Sequence, residues 1–145
     1  MKLKENYTHP IAANLKNAAE AYKLASNKIS SNLLSKYLEQ LAKEKELLFN
    51  KICGDESVVQ TKKNVLDTEQ IKGRFRKSDR QVEIFLILCL DHEEELIKAY
   101  QKALTLEAIG DQNRYQLEKQ LNNSLASYNQ LKMMKVSRHY NLDVS

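Results

Sequence analysis

The stretch VEIFLILCLDHEEELIKAYQKA, from Val82 to Ala103, decides the fold. In it Val82, Leu86, Cys89, Glu93, Leu96, Tyr100 and Ala103 recur at alternating steps of four and three. That spacing returns each residue to one side of an α-helix; a half-buried strand would alternate every second residue. No glycine or proline interrupts the run. Ser78 followed by Gln81 reads as a capping box at its start. One charged residue, Glu93, stands in the middle of the apolar stripe.

The same period recurs three more times. Ile11, Leu15, Ala18, Tyr22, Ala25 and Ile29 mark a first helix, with Pro10 just inside its start, where a missing N–H costs nothing. Leu34, Leu38, Leu41, Leu48 and Ile52 mark a second, with Ser30 or Ser31 as its cap and Gly54 at its end. Leu117, Leu121, Leu125, Tyr128 and Leu131 mark a fourth, with Gly110 stopping the third helix and Asp111 capping the next. The expected helices are 11–29, 31–53, 79–107 and 111–136. The segments around 30 and 110 are short enough to force each joined pair of helices antiparallel. The tails 1–9 and 137–145 show no periodicity and are expected to fray.

Composition agrees with this reading. The chain has 145 residues, of which three are glycine and one is proline, too few turn formers for a sheet or a loop-rich fold. One domain of this length buries a real core. The segment 55–77 is polar but punctuated by Val58, Val59, Val65, Leu66, Ile71 and Phe75. It is longer than a direct turn needs, so we read it as a crossover running the length of the bundle. The fold expected is an all-α antiparallel four-helix bundle, two hairpins joined by a long crossover, which is the ferritin-like connection.

Specific residues carry a resemblance as well. Asn14-Leu-Lys-Asn-Ala-Ala-Glu-Ala-Tyr22, Leu38-Glu-Gln-Leu-Ala-Lys-Glu-Lys45 and Glu93-Glu-Glu-Leu-Ile-Lys-Ala-Tyr-Gln-Lys-Ala-Leu104 resemble the bacterial ferritin-like proteins of unknown function. Those read Leu-Ala-x-Glu-Arg in the second helix and Glu-Asp-x-x-Leu-Lys-Ala-Tyr in the third. About three-quarters of the chain is covered by the resemblance, in amphipathic motifs of low specificity. Lys45 replaces the family's Arg. The resemblance implies a four-helix bundle; the family's members share no agreed activity.

A ferritin-type metal pair needs inward carboxylates from facing helices, usually with Glu-x-x-His on two of them. Glu44 is followed three residues later by Leu47, and the fourth helix offers Asn122, Asn123, Ser124 and Ser127. Glu20 falls outside the first stripe. No metal site is therefore expected, and no cofactor, which leaves a di-metal oxidase as the least favoured reading of the chain's function. His92 lies among Asp91, Glu93, Glu94 and Glu95, which reads as a solvated acidic face. His9 and His139 fall in the tails. No phosphate loop, nucleophile elbow or Cys–His pairing appears, so no catalytic residue is assigned. Cys53 and Cys89 belong to no CxxC pair and read as free thiols of a cytoplasmic protein. MKLKENYTHP carries no apolar stretch after its lysines, so neither a leader nor a membrane segment is expected.

Lys45 occupies the second stripe at the height where Glu93 occupies the third. Each lies about fourteen residues, or roughly 21 Å, from its expected helix start. With a crossover the two helices run parallel, so the charges meet. We expect a semi-buried Lys45–Glu93 ion pair that fixes register, or alternatively a small polar pocket around Glu93. Two partner readings remain. Lys72, Arg74, Phe75, Arg76, Lys77 and Arg80 interleave an aromatic with cations, a pattern that suits nucleic acid or another anionic partner. Tyr115, Met133, Met134 and Val136 add apolar surface off the fourth stripe, which suits a homo-oligomer or a protein partner. The second is preferred, since a basic run reads first as a solvated face and Phe75 as an anchor pinning the crossover to the bundle.

Overall fold

The structure is a computed structural model and describes residues 5–30, 32–53, 78–106 and 109–144. Four α-helices follow in order: α1 (Glu5–Lys28), α2 (Asn32–Cys53), α3 (Ser78–Leu104) and α4 (Asp111–Val144). No strand occurs among the described residues. None of the described helices is long and apolar enough to cross a membrane.

The inward residues are those at the four–three spacing. Ile11, Leu15, Ala18, Tyr22 and Ala25 are buried on α1, with Ile29 just past its end, and Val82, Leu86, Cys89, Glu93, Leu96, Tyr100 and Ala103 on α3. Two apolar clusters form. One joins Ala18 to Ala25 of α1 and Ile29 after it, Leu34 to Ala42 of α2, Val82 to Leu90 of α3, and Leu131 of α4. The other joins Ile11 and Leu15 of α1, Leu96 to Ala103 of α3, and Ile109 with Leu117 of α4, against half-buried Leu48, Phe49 and Ile52 of α2. Close backbone packing joins α1 to α2, α1 to α3 and α3 to α4.

Side chains close the helix ends. At the α1–α2 turn the Ile29 N–H donates to Ala25 O at 3.0 Å. Ser35 Oγ reaches back from α2 to donate to Ser26 O at 2.7 Å, which satisfies one of the carbonyls a helix end leaves unpaired. At the end of α3, Thr105 N–H and Leu106 N–H donate to Lys102 O and Ala103 O, each at 3.1 Å, tightening the last turn.

Several boundaries differ from expectation. The α1 helix begins at Glu5, so Pro10 lies inside it rather than at its start. This proline removes only the bond to the Asn6 carbonyl, one turn from the helix end, where the loss is tolerable. The α4 backbone stays helical to Val144, and the tails expected to fray are helical over 5–9 and 137–144. The α3 helix ends at Leu104, before Gly110, so glycine is not its stop. Gly110 instead accepts the first bond of α4, from Arg114 N–H at 2.9 Å, which puts Gly110 in the cap position and Asp111 in the first turn. There the Asp111 carboxylate complements the helix dipole. On α4 the stripe passes through Ser124, which is buried, while Leu125 is 36% exposed. The crossover at 55–77 and the Gly54 stop lie outside the described residues, as does Ser31; of the expected capping box Gln81 is helical and half-buried, and Ser78 is described by its backbone alone.

Candidate functional site: a polar layer across four helices

Between the two apolar clusters lies one polar layer, to which each helix contributes one side chain. The contributors are Tyr22 of α1, Lys45 of α2, Glu93 of α3 and Ser124 of α4, all buried. Each stands at the middle of its helix's four–three stripe: Ala18-Tyr22-Ala25, Leu41-Lys45-Leu48, Cys89-Glu93-Leu96 and Leu121-Ser124-Tyr128. The same pattern that places leucine inward elsewhere therefore places these four groups inward and at one height.

The groups satisfy one another. Lys45 Nζ lies 2.8 Å from Glu93 Oε2, with side chains 6% and 0% exposed. The ammonium also donates to Ser124 Oγ at 3.2 Å. Tyr22 Oη donates to the other carboxylate oxygen, Oε1 of Glu93. A buried carboxylate thus receives charge-assisted bonds on both oxygens, as burial of an ion demands. The sequence pairs Lys45 with Glu93, and the structure brings the two into contact. Tyr22 and Ser124 are the members that sequence reading left as packing or as polar surface. Ser124 was legible in principle, because Leu117, Leu121, Ser124, Tyr128 and Leu131 keep the four–three spacing that Leu125 breaks.

The layer holds its neighbours protonated. Burial first, then the Glu93 charge, raises the Tyr22 phenol well above the usual tyrosine value. The same two causes raise Tyr100 and the Cys89 thiol. Burial also raises Tyr37, opposed by a hydrogen bond with Ser127. Cys89 Sγ faces Ala21 O at 3.7 Å, and a buried, protonated thiol is a poor nucleophile. Tyr100 Oη donates to Gln120 Oε1 at 2.8 Å, a direct α3–α4 link that the sequence did not announce.

Paired metal ions in four-helix proteins are held by carboxylates from facing helices. Here Glu93 is the one carboxylate of the layer, and its Oε2 is taken by an ammonium. Among the described residues no three His, Cys, Asp or Glu side chains are grouped to hold a metal ion. The donor set therefore does not fit a di-metal centre.

The other candidates are placed as follows. Lys72, Arg74, Phe75, Arg76 and Lys77 lie outside the described residues, and only the backbone of Arg80 is described, at the start of α3. His92 is half-buried; burial lowers its pKa, against the opposing pull of Asp91, Glu95 and Glu20. Between α1 and α2 an open groove is lined by Lys16, Glu20, Glu46, Phe49 and Asn50, and Lys16 Nζ lies 5.9 Å from the Phe49 ring centre. Its charges are of both signs, and no single ligand chemistry follows from them. No protein-family model, curated protein or solved structure matches this chain.

Proposed function

We propose that this chain is a ferritin-like bundle that works by association, pairing with a second copy of itself through the outer face of α4, rather than by catalysis. The membership of the two apolar clusters supports the ferritin-like path. The early half of α2 shares a cluster with the early half of α3, and the late half of α1 joins the same cluster. Such a sharing suits an α2 parallel to α3 and antiparallel to α1, the arrangement a long crossover between hairpins produces.

The observation that carries the association is the outer face of α4. Tyr115 is 62% exposed, Met133 72% and Val136 51%, and Leu125, 36% exposed, lies along the helix between Tyr115 and Met133. Isolated apolar residues on a surface are ordinary; a run of them along one helix face is an interface signal. Charge selects the occupant. Leu125 lies midway between Glu118 and Lys132, which are two helical turns to either side and exposed. A second α4, laid antiparallel about a twofold axis at Leu125, sets Glu118 of each copy against Lys132 of the other. A twofold interface requires such self-complementarity.

Sedimentation analysis of three variants tests this. Glu118→Lys alone and Lys132→Glu alone should each shift the wild-type dimer toward monomer. The double reversal should restore it, because the pairs are re-formed with opposite sign. A wild-type protein that stays monomeric at high micromolar concentration defeats the reading, and so does a double variant no more dimeric than the singles.

A further inference from the structure

We infer that the Lys45 ammonium stands in for the metal ion of metal-holding bundles: it is the built-in cation of the polar layer, and removing it opens a divalent-cation site at Glu93.

A carboxylate at the centre of a helical bundle needs a counter-charge, because an unpaired ion is too costly to bury. One solution is a metal ion shared among carboxylates of facing helices. This chain uses the other. Glu93 is fully buried, Lys45 Nζ lies 2.8 Å from its Oε2, and the same ammonium reaches Ser124 at 3.2 Å while Tyr22 binds Oε1. Oxygens from α3 and α4 therefore meet the positive centre that α2 supplies, as ligands meet a metal, and Tyr22 of α1 holds the carboxylate by its other oxygen. Apart from the Lys45 nitrogen, the polar atoms of the layer are oxygens: carboxylate, phenol and hydroxyl. Such hard donors suit Mn²⁺ or Mg²⁺ rather than thiophilic metals. Exchanging Lys45 for Glu replaces the cation with a second carboxylate facing Glu93 on the neighbouring stripe. Two buried carboxylates then repel each other until a cation enters.

The full chain is compared as wild type, Lys45→Glu, and Lys45→Glu with Glu93→Gln, in chelator and in Mn²⁺. Thermal melts report stability, and loss of the free-ion electron paramagnetic resonance signal reports Mn²⁺ binding. Wild type should melt at one temperature in both conditions. Lys45→Glu should melt lower in chelator, recover in Mn²⁺, and bind one ion per chain. Adding Glu93→Gln should weaken that binding at least about tenfold. If Lys45→Glu is unfolded in chelator, recovery of its helical circular dichroism on adding Mn²⁺ supports the inference equally. It is overturned if Lys45→Glu neither binds Mn²⁺ nor responds to it, folded or not. Wild type binding Mn²⁺ as tightly as the variant overturns it too. The layer is the same whether or not α4 pairs, so the sedimentation test and this titration fail separately.

Discussion

Lys45 and Glu93 are each costly alone and tolerable together. Removing the carboxylate leaves a buried ammonium with Ser124 as its remaining partner, so Glu93→Ala should destabilise the fold by roughly 3–5 kcal/mol. The long lysine stem lowers that figure if it swings the ammonium to water. Replacing both at once, Lys45→Met with Glu93→Leu, leaves no orphan charge and should cost much less than either the Glu93→Ala change or the sum of the singles. Denaturant melts of Lys45→Met, Glu93→Leu and the double form a cycle, and additive losses would show that the contact carries no coupling. His92 supplies a second test. Its folded pKa is depressed by burial below the ordinary 6.5. Between the folded value and 6.5 the unfolded chain binds more protons, so stability falls as pH drops through that window. His92→Gln should therefore lose less melting temperature between about pH 7 and pH 5 than wild type does. Equal losses would place the acid sensitivity elsewhere, with the carboxylates around it.

The elements were legible where one stripe decides them and not where a distant side chain does. Val82 to Ala103 announces a helix with Glu93 inward, and α3 delivers both. Its end was misread because Gly110 is a strong local stop signal, whereas the group that finishes α3 comes from the next helix. Arg114 Nη1 donates to Leu104 O at 2.8 Å and Nη2 to Leu106 O at 3.2 Å. No local pattern encodes a guanidinium folding back across a loop. Arg114→Ala should accordingly cost about 1 kcal/mol in urea melts, and Arg114→Lys should recover only part, since an ammonium lacks the two-pronged geometry. A neutral outcome for alanine would mean that water serves those carbonyls as well. Leu125 was misread for a different reason. Hydrophobicity alone prefers leucine to serine inside, but Ser124 has a buried partner in Lys45, which reverses the preference. The candidate site was thus half legible. The two charges stood out against their apolar stripes, while the two hydroxyls resembled ordinary helix residues.

At the scale of the whole molecule, the path from α2 to α3 decides the fold. A short α2–α3 link would reverse the chain and set the two helices antiparallel; the proposed crossover sets them parallel. The cluster that holds Ile52 near the end of α2 also holds Ala103 and Leu104 at the end of α3, which favours the parallel arrangement. Distances between spin labels read this directly. Leu33 near the start of α2, Lys51 near its end and Lys102 near the end of α3 are all exposed and accept a label without disturbing the core. Cys53→Ser removes one competing thiol, and Cys89 is buried against the Ala21 carbonyl, out of reach of the reagent. Along α2 the labels at Leu33 and Lys51 are separated by roughly 27 Å of helical rise. With α2 and α3 parallel, Lys51 and Lys102 share one end of the bundle, and the Leu33–Lys102 distance should exceed the Lys51–Lys102 distance by on the order of 15 Å. With a direct turn the order reverses, because the end of α3 then lies beside the start of α2. The polar layer does not depend on the answer: Lys45 lies past the middle of α2 and Glu93 near the middle of α3, so a reversed α3 would keep them within about 3 Å in height. Finding Leu33 nearer to Lys102 than Lys51 is would therefore overturn the connection and leave the pair standing.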